Sequence, residues 1–427
     1  MRKTVIESPR LGEKYLRLEH ESGLVILLYP MKGFSTAYAL FGTKYGSIDS
    51  VFKTPEDPDF IRVPDGIAHY LEHKLFESEE GNVDQLFAQT GADSNAFTSF
   101  DKTCYLFSCT RQFEESFRYL LRFVQDPYFT PETVAKEQGI IGQEIRMYED
   151  SPDWRVMLNL LGALYAENPV RLDIAGTVES ISHITADILY RCYRTFYNLS
   201  NMVVTVAGNF DPDAAERILE EELKPGKPVE ILRKIPEEPL EAAAPEVVQR
   251  MDVSEPIFYF GYKIQPETEP HALLRQQVVL DLLLDVLAGP TSRFYEEMNR
   301  KGLLNPTFDV EVFGERGSLA AMFGGESRDP REVYRAFCEM VEQRKKEGLS
   351  EEEFLCCKNA MYGKSLKGIN DVSHTANALI SYEMMGVGFF DPIDVIASVE
   401  LSDLEACLET CFDPACRAIS IVLPQEE

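Results

Sequence analysis

An α+β fold built from two homologous domains is what this sequence predicts, and three observations carry the prediction. The chain has 427 residues, too many for one ordinary hydrophobic core. A stretch rich in Pro, Glu and Lys, residues 223–250, separates two halves of similar length and shows little helical or alternating periodicity. Each half then presents strands and helices in the same order, the mark of an internal repeat. The expected division is a domain at 1–222, a linker at 223–250 and a homologous domain at 251–427. Each domain should pair a mixed, largely antiparallel sheet with helices in α/β layers.

In the first half, STAYALFGTKYGS reads as a strand, while GIAHYLEHKLFES and NVDQLFAQTG read as helices. NAFTSFDKTCYLFSCT alternates like a strand pair. A long helical tract runs from FEESFRYLLRFVQD through PETVAKEQGIIGQEIRMYED, and the β-branched run NMVVTVAGNF closes the half. The second half repeats the order. IFYFGYKI matches the early strand, ALLRQQVVLDLLLDVLAG and SRFYEEMNRKG the helices, and TFDVEVFGERGSLAAMFGG the strand pair. The tract from Asp329 to Gly363 matches the long helical region, and CRAISIVLP matches the closing strand.

Composition narrows the function classes. Hydrophobic residues make up 44% and aromatics 11%, enough for packed interiors. A formal net charge of -29 argues against nucleic acid and anionic membranes as partners, and would favour basic peptides or cations. The nine cysteines include no CxxC pair, so reduced buried thiols are expected rather than a disulfide framework. Cys407, Cys411 and Cys416 cluster, but their spacing suits zinc poorly. The first twenty residues contain no apolar h-region, and no apolar run approaches the roughly 20 residues that span a bilayer. A cytoplasmic protein is therefore expected.

Chemistry concentrates in His69-Tyr70-Leu71-Glu72-His73. On a helix each residue advances about 100°, so His69 and His73 stand one turn apart on one face with Glu72 close by. Two imidazoles so placed can converge on one tetrahedral zinc, and the carboxylate between them can act as general base toward water. Ile67, Leu71, Leu75 and Phe76 form an apolar stripe that would bury the helix and leave the His-Glu-His face toward a cleft. This HxxEH order is the inverted-zincin signature. A third protein ligand is needed. Glu137 and Glu144, about two turns apart on one helix face, both qualify, and spacing does not choose between them.

With these motifs in place, the sequence resembles the pitrilysin, insulin-degrading enzyme and mitochondrial processing peptidase family, and within it a short bacterial catalytic chain of the two-subunit type. The resemblance covers nearly the whole chain and is strongest from Gly66 to Phe210. It implies a zinc metalloendopeptidase holding one zinc through His69, His73 and Glu144. Glu72 would be the catalytic base and Glu137 a carboxylate that orients the site. It also implies that the strand carrying Asn95, Ala96 and Phe97 pairs with the backbone of an extended peptide substrate.

Two departures stand out. Glu77 and Ser78 follow Phe76 where the family often has Gly. More consequential, an Arg and a Tyr seven residues later, which bind the substrate carbonyl in many members, have no match in SRFYEEMNRKGLLNPTF. Met298 or Asn299, and then Asn305, occupy those positions, and Arg300 is out of register. The resemblance then implies a paralogous partner subunit that supplies the Arg and Tyr in a heterodimer, with a homodimer as the alternative pairing. Two other roles remain open on the sequence: a non-catalytic structural subunit of a larger assembly, and a maturation peptidase dedicated to one peptide.

Overall fold

The computed structural model describes residues 1–79 and 81–426, in two compact units. The first unit comprises Met1–Ile145, Asp173–Lys234 and Lys367–Phe390. The second comprises Arg146–Leu172, Ile235–Leu366 and the chain from Asp391 onward.

The first unit is organised on a seven-stranded sheet whose spatial order is Arg2–Ser8, Glu13–Glu19, Val25–Pro30, Met202–Gly208, Ala37–Thr43, Thr103–Cys109 and Asp93–Thr98. One neighbour pair, Val25–Pro30 with Met202–Gly208, is parallel and the others are antiparallel. Side chains alternate between two cores, as a period of two requires. Ile26, Leu28, Phe41, Tyr105 and Val204 face one core, which also holds Tyr70 and Leu71. Leu27, Leu40, Leu106 and Val203 face the other, with Leu379, Ile380, Phe389 and Phe390. With both faces covered, a central strand is apolar throughout, and Met202–Gly208 is buried along its whole length.

The second unit repeats this plan with five strands, in the order Glu246–Met251, Arg417–Pro424, Ile257–Ile264, Ser318–Glu326 and Asp309–Glu315. Again one pair, Glu246–Met251 with Arg417–Pro424, is parallel and the rest are antiparallel. The expected pair of mixed, largely antiparallel α+β layers is what the chain forms.

The division of the chain differs from the contiguous halves 1–222 and 251–427, because each unit takes a helix from the other half. The helix Val372–Met385 packs on the first sheet, where Thr205 Oγ1 donates to Ala376 O at 3.1 Å. The helix Pro152–Leu164 packs on the second sheet, and just beyond it Tyr165 donates its hydroxyl to Leu319 O at 3.0 Å. A glycine admits the first of these helices, and another stands at the second sheet. A Cβ at Gly42 would lie 2.7 Å from Ile380 Cδ1, and one at Gly261 would lie 2.7 Å from Ala321 O and 3.4 Å from Leu160 Cδ2.

The segment 223–250 is likewise more ordered than a linker. Leu232–Arg233 pairs with Val51–Lys53, and Arg233 Nε reaches Asp49 Oδ1 at 2.9 Å. Glu246–Met251, with alternating exposure, is the outer strand of the second sheet. Between them, Glu238 accepts bonds of 2.9, 2.8 and 2.7 Å from the backbone N–H groups of Ala166, Glu167 and Asn168, and one from Lys263. Pro and Glu content hid these short pairings, since neither a two-residue strand nor a carboxylate capping amides leaves a periodic signal.

Leu379 lies on the helix supplied by the second half and is fully buried in the first unit. Leu379→Ala should lower unfolding stability by about 2–5 kcal/mol, read as a shift of the urea midpoint. An unshifted midpoint would show that this helix adds nothing to the first unit.

Candidate metal centre

The short helix Ile67–Leu75 starts at Gly66, whose φ of 89° lies in the left-handed region open to glycine. The backbone is close there: a Cβ on Gly66 would sit 2.3 Å from Ala175 O. Ile67, Leu71 and Leu75 are buried as the apolar stripe requires. Tyr70, also buried, donates its hydroxyl to the carbonyl of Val134 on the long helix Pro131–Glu149, which fixes the two helices side by side.

That docking brings the expected side chains together. His69 Nε2 stands 3.6 Å from Glu144 Oε1, and His73 Nε2 stands 3.2 Å from Glu144 Oε2. The two imidazoles thus face different oxygens of one carboxylate, with ring centroids 4.6 Å apart. One ligand atom from each of His69, His73 and Glu144 fits within 4.8 Å of the others, the one such group of metal-ligating side chains among the described residues. Zinc bonds of about 2.0–2.1 Å place tetrahedral donors about 3.3–3.4 Å apart, so the observed spacings suit that ion. Two imidazole nitrogens and a carboxylate oxygen also suit it chemically.

The long helix places its two glutamates on different sides of the His73 ring. Glu137, 6% exposed, meets the other face of the His73 ring, Oε1 to Nδ1 at 3.1 Å. His69 Nδ1 is buried and has no such hydrogen-bond partner, so the two imidazoles are held unequally. Burial alone would push the His73 imidazole down, but hydrogen bonds to Glu137 and Glu144, with the charge of Glu72 nearby, raise it to about 10. Hydrogen bonds from His69 and His73 hold Glu144 far below the ordinary carboxylate range. Glu137 is lowered as well: its burial opposes ionisation, and the bond to His73 outweighs it.

Glu72 lies beside this group, and its Oε2 accepts a 2.6 Å hydrogen bond from Thr98 Oγ1. Sequence reasoning missed Thr98, although it ends the same strand as Asn95, Ala96 and Phe97. Those three lie on Asp93–Thr98, the outermost strand of the sheet, paired on one side only, with Tyr105 opposite Ala96. Asn95 is exposed, and Ala96 and Phe97 are half-buried. The Glu77 departure also has a structural role, since its carboxylate is the partner of Lys74, whose side chain is completely buried. In the second unit, Met298 is buried in the core. Asn305 donates to Glu326 at 2.9 Å and accepts from the Thr307 amide.

Fold and donor set together are those of the inverted-motif metallopeptidases. Residues 63–178 match the family model described as Insulinase (Peptidase family M16), and residues 183–361 match the one described as Peptidase M16 inactive domain. The chain is 40% identical over 410 residues to the uncharacterized zinc protease YmfH of Bacillus subtilis, covering 95% of each chain. Among solved structures, an M16-like peptidase from Alicyclobacillus acidocaldarius superposes with a TM-score of 0.94 at 35% identity, covering 99% of this chain and 100% of that one. A protease from Helicobacter pylori shares the fold at a TM-score of 0.82 and 20% identity, over 96% of this chain and 100% of its own. This chain belongs to peptidase family M16.

Two measurements check the electrostatics of the centre. Glu137→Gln should weaken zinc binding by about 10- to 100-fold while leaving the thermal midpoint near the native value. Because a divalent cation must displace a proton from His73, whose raised value is about 10, apparent zinc affinity should fall as pH is lowered through neutrality. The expected slope is about tenfold per pH unit in a chelator competition titration. A flat profile would mean that His73 binds no proton that zinc displaces.

Proposed function

We propose that this chain is a zinc metalloendopeptidase that hydrolyses extended peptides, with one zinc held by His69, His73 and Glu144. The observation that carries the reading is the approach of both Nε2 atoms to separate oxygens of Glu144, with Glu72 alongside. Zinc, when bound, supplies a Lewis acid that polarises the scissile carbonyl and acidifies water. Glu144 and the imidazoles bind and orient it, and Glu137 keeps the His73 ring from turning. Glu72 is the general base. Its Oε1, the oxygen not engaged by Thr98, takes the proton of the attacking water and returns it to the leaving amine nitrogen.

The free edge at Asn95, Ala96 and Phe97 supports main-chain pairing with a substrate strand, which selects unfolded peptides over compact proteins. The positions of Met298 and Asn305 support a partner that completes the substrate site, a paralogous subunit in a heterodimer or a second copy of the chain. No helix among the described residues is long and apolar enough to cross a membrane. The acidic composition fits work in the cytoplasm on basic peptides. Retention of His69, Glu72, His73 and Glu144 favours an enzyme over a purely structural subunit, which needs none of them.

Zinc content and peptide hydrolysis, measured on the same preparations, test this. Glu72→Gln should keep one zinc per chain and lose at least about 10²-fold in kcat. Glu144→Gln should lose both zinc and turnover. Native protein that hydrolyses peptides equally well after its metal is stripped by a chelator would end the proposal. Turnover by the chain alone equal to that with any partner would remove the heterodimer.

A further inference from the structure

We propose that Thr98 is a positioning residue for the general base, holding the Glu72 carboxylate in its working orientation from the edge strand; this rests on the peptidase reading above. Thr98 is the last residue of Asp93–Thr98, where a tight turn closed by Ser99 N–H to Lys102 O at 2.8 Å leads into Thr103–Cys109. Register places Thr98 directly opposite Thr103. A side chain so anchored at both ends of a turn has little freedom, and its hydroxyl is aimed at Glu72 Oε2 at 2.6 Å. That is a short O–H···O hydrogen bond.

A neighbouring hydroxyl, that of Thr103, shares this corner of the sheet. Thr103 Oγ1 donates to Tyr45 O at 2.8 Å, so its single hydrogen is committed and its oxygen is free to accept. Thr98 Oγ1 lies 3.3 Å from it. The Thr98 hydrogen therefore has two acceptors. The nearer is Glu72 Oε2, and the hydrogen is directed there. With Oε2 held in this way, Oε1 is the oxygen left to face the attacking water. Thr98 keeps its own proton throughout, so the water's proton passes only to Glu72 and on to the amine. The strand that offers its edge to a substrate thus also sets the base.

The test uses the full-length zinc-loaded chain, together with whatever partner its turnover requires. Thr98→Val keeps the volume and the β-branched shape that a strand prefers, and removes only the hydroxyl. It should retain native zinc content and thermal midpoint, lower kcat about 10- to 100-fold with KM within about twofold, and let the Glu72 carboxylate leave its site in a crystal structure. Thr98→Ser should restore kcat to within a few-fold of native. Native kcat in Thr98→Val, a loss that Ser fails to rescue, or an unmoved Glu72 would each overturn the assignment. Full activity in Glu72→Gln would instead strike the general-base reading itself, and with it the need for any positioning.

Discussion

The structure depends first on the docking of the helix Ile67–Leu75 against the helix Pro131–Glu149. Two imidazoles and three carboxylates are gathered in this small region, and gathering them has an electrostatic cost unless opposite charges alternate. They do alternate. Glu137, His73, Glu144 and His69 follow one another through contacts of 3.1, 3.2 and 3.6 Å. Away from that chain the packing is apolar except for the buried Lys74 and its partner Glu77, and the Tyr70 hydroxyl locks the helices together without adding charge. The raised imidazole at His73 and the depressed carboxyl at Glu144 are two expressions of one design, in which a positive charge is wanted between the residues. A divalent cation answers that demand with more charge than a proton.

A second constraint comes from the sheets. Each unit covers one sheet face with a helix from the other half of the chain, so neither half closes its own core. The same device was used twice, with Gly42 and Gly261 at corresponding strand positions after Phe41 and Phe260. The first-sheet face beneath Leu379 and Ile380 would be bare apolar surface without residues 367–390. The edge strand bearing Thr98 and the strands behind it owe part of their rigidity to a segment far along the sequence.

How much of this was legible in the sequence follows from the range of each interaction. His69, Glu72 and His73 could be read directly, because a helix converts short spacing into shared direction. The different placements of Glu144 and Glu137 could not, because both lie on one helix face. What separates them is which side of the His73 ring each meets. The exchanged helices were invisible for a similar reason, since an apolar helix looks the same whichever sheet it covers. The N-terminal strand Arg2–Ser8 gave no alternating pattern, being exposed along nearly its whole length at a sheet edge. Thr98 lacked any signal because its partner is 26 residues away and the bond depends on a turn.

The repeat stops short of the candidate metal centre, since His69, His73 and Glu144 all lie in the first unit. On the helix Pro270–Ala288, Asp281 and Asp285 have the same i,i+4 spacing as His69 and His73. Carboxylates there repel each other where imidazoles would share a metal. Asp281 reaches solvent yet is hemmed in enough that desolvation, followed by the like charge of Asp285, pushes it up to about 6. The charge of Lys364, on the helix Glu351–Gly368, opposes that rise. Where the first unit sets a glutamate against two imidazoles, the second sets an ammonium against two carboxylates.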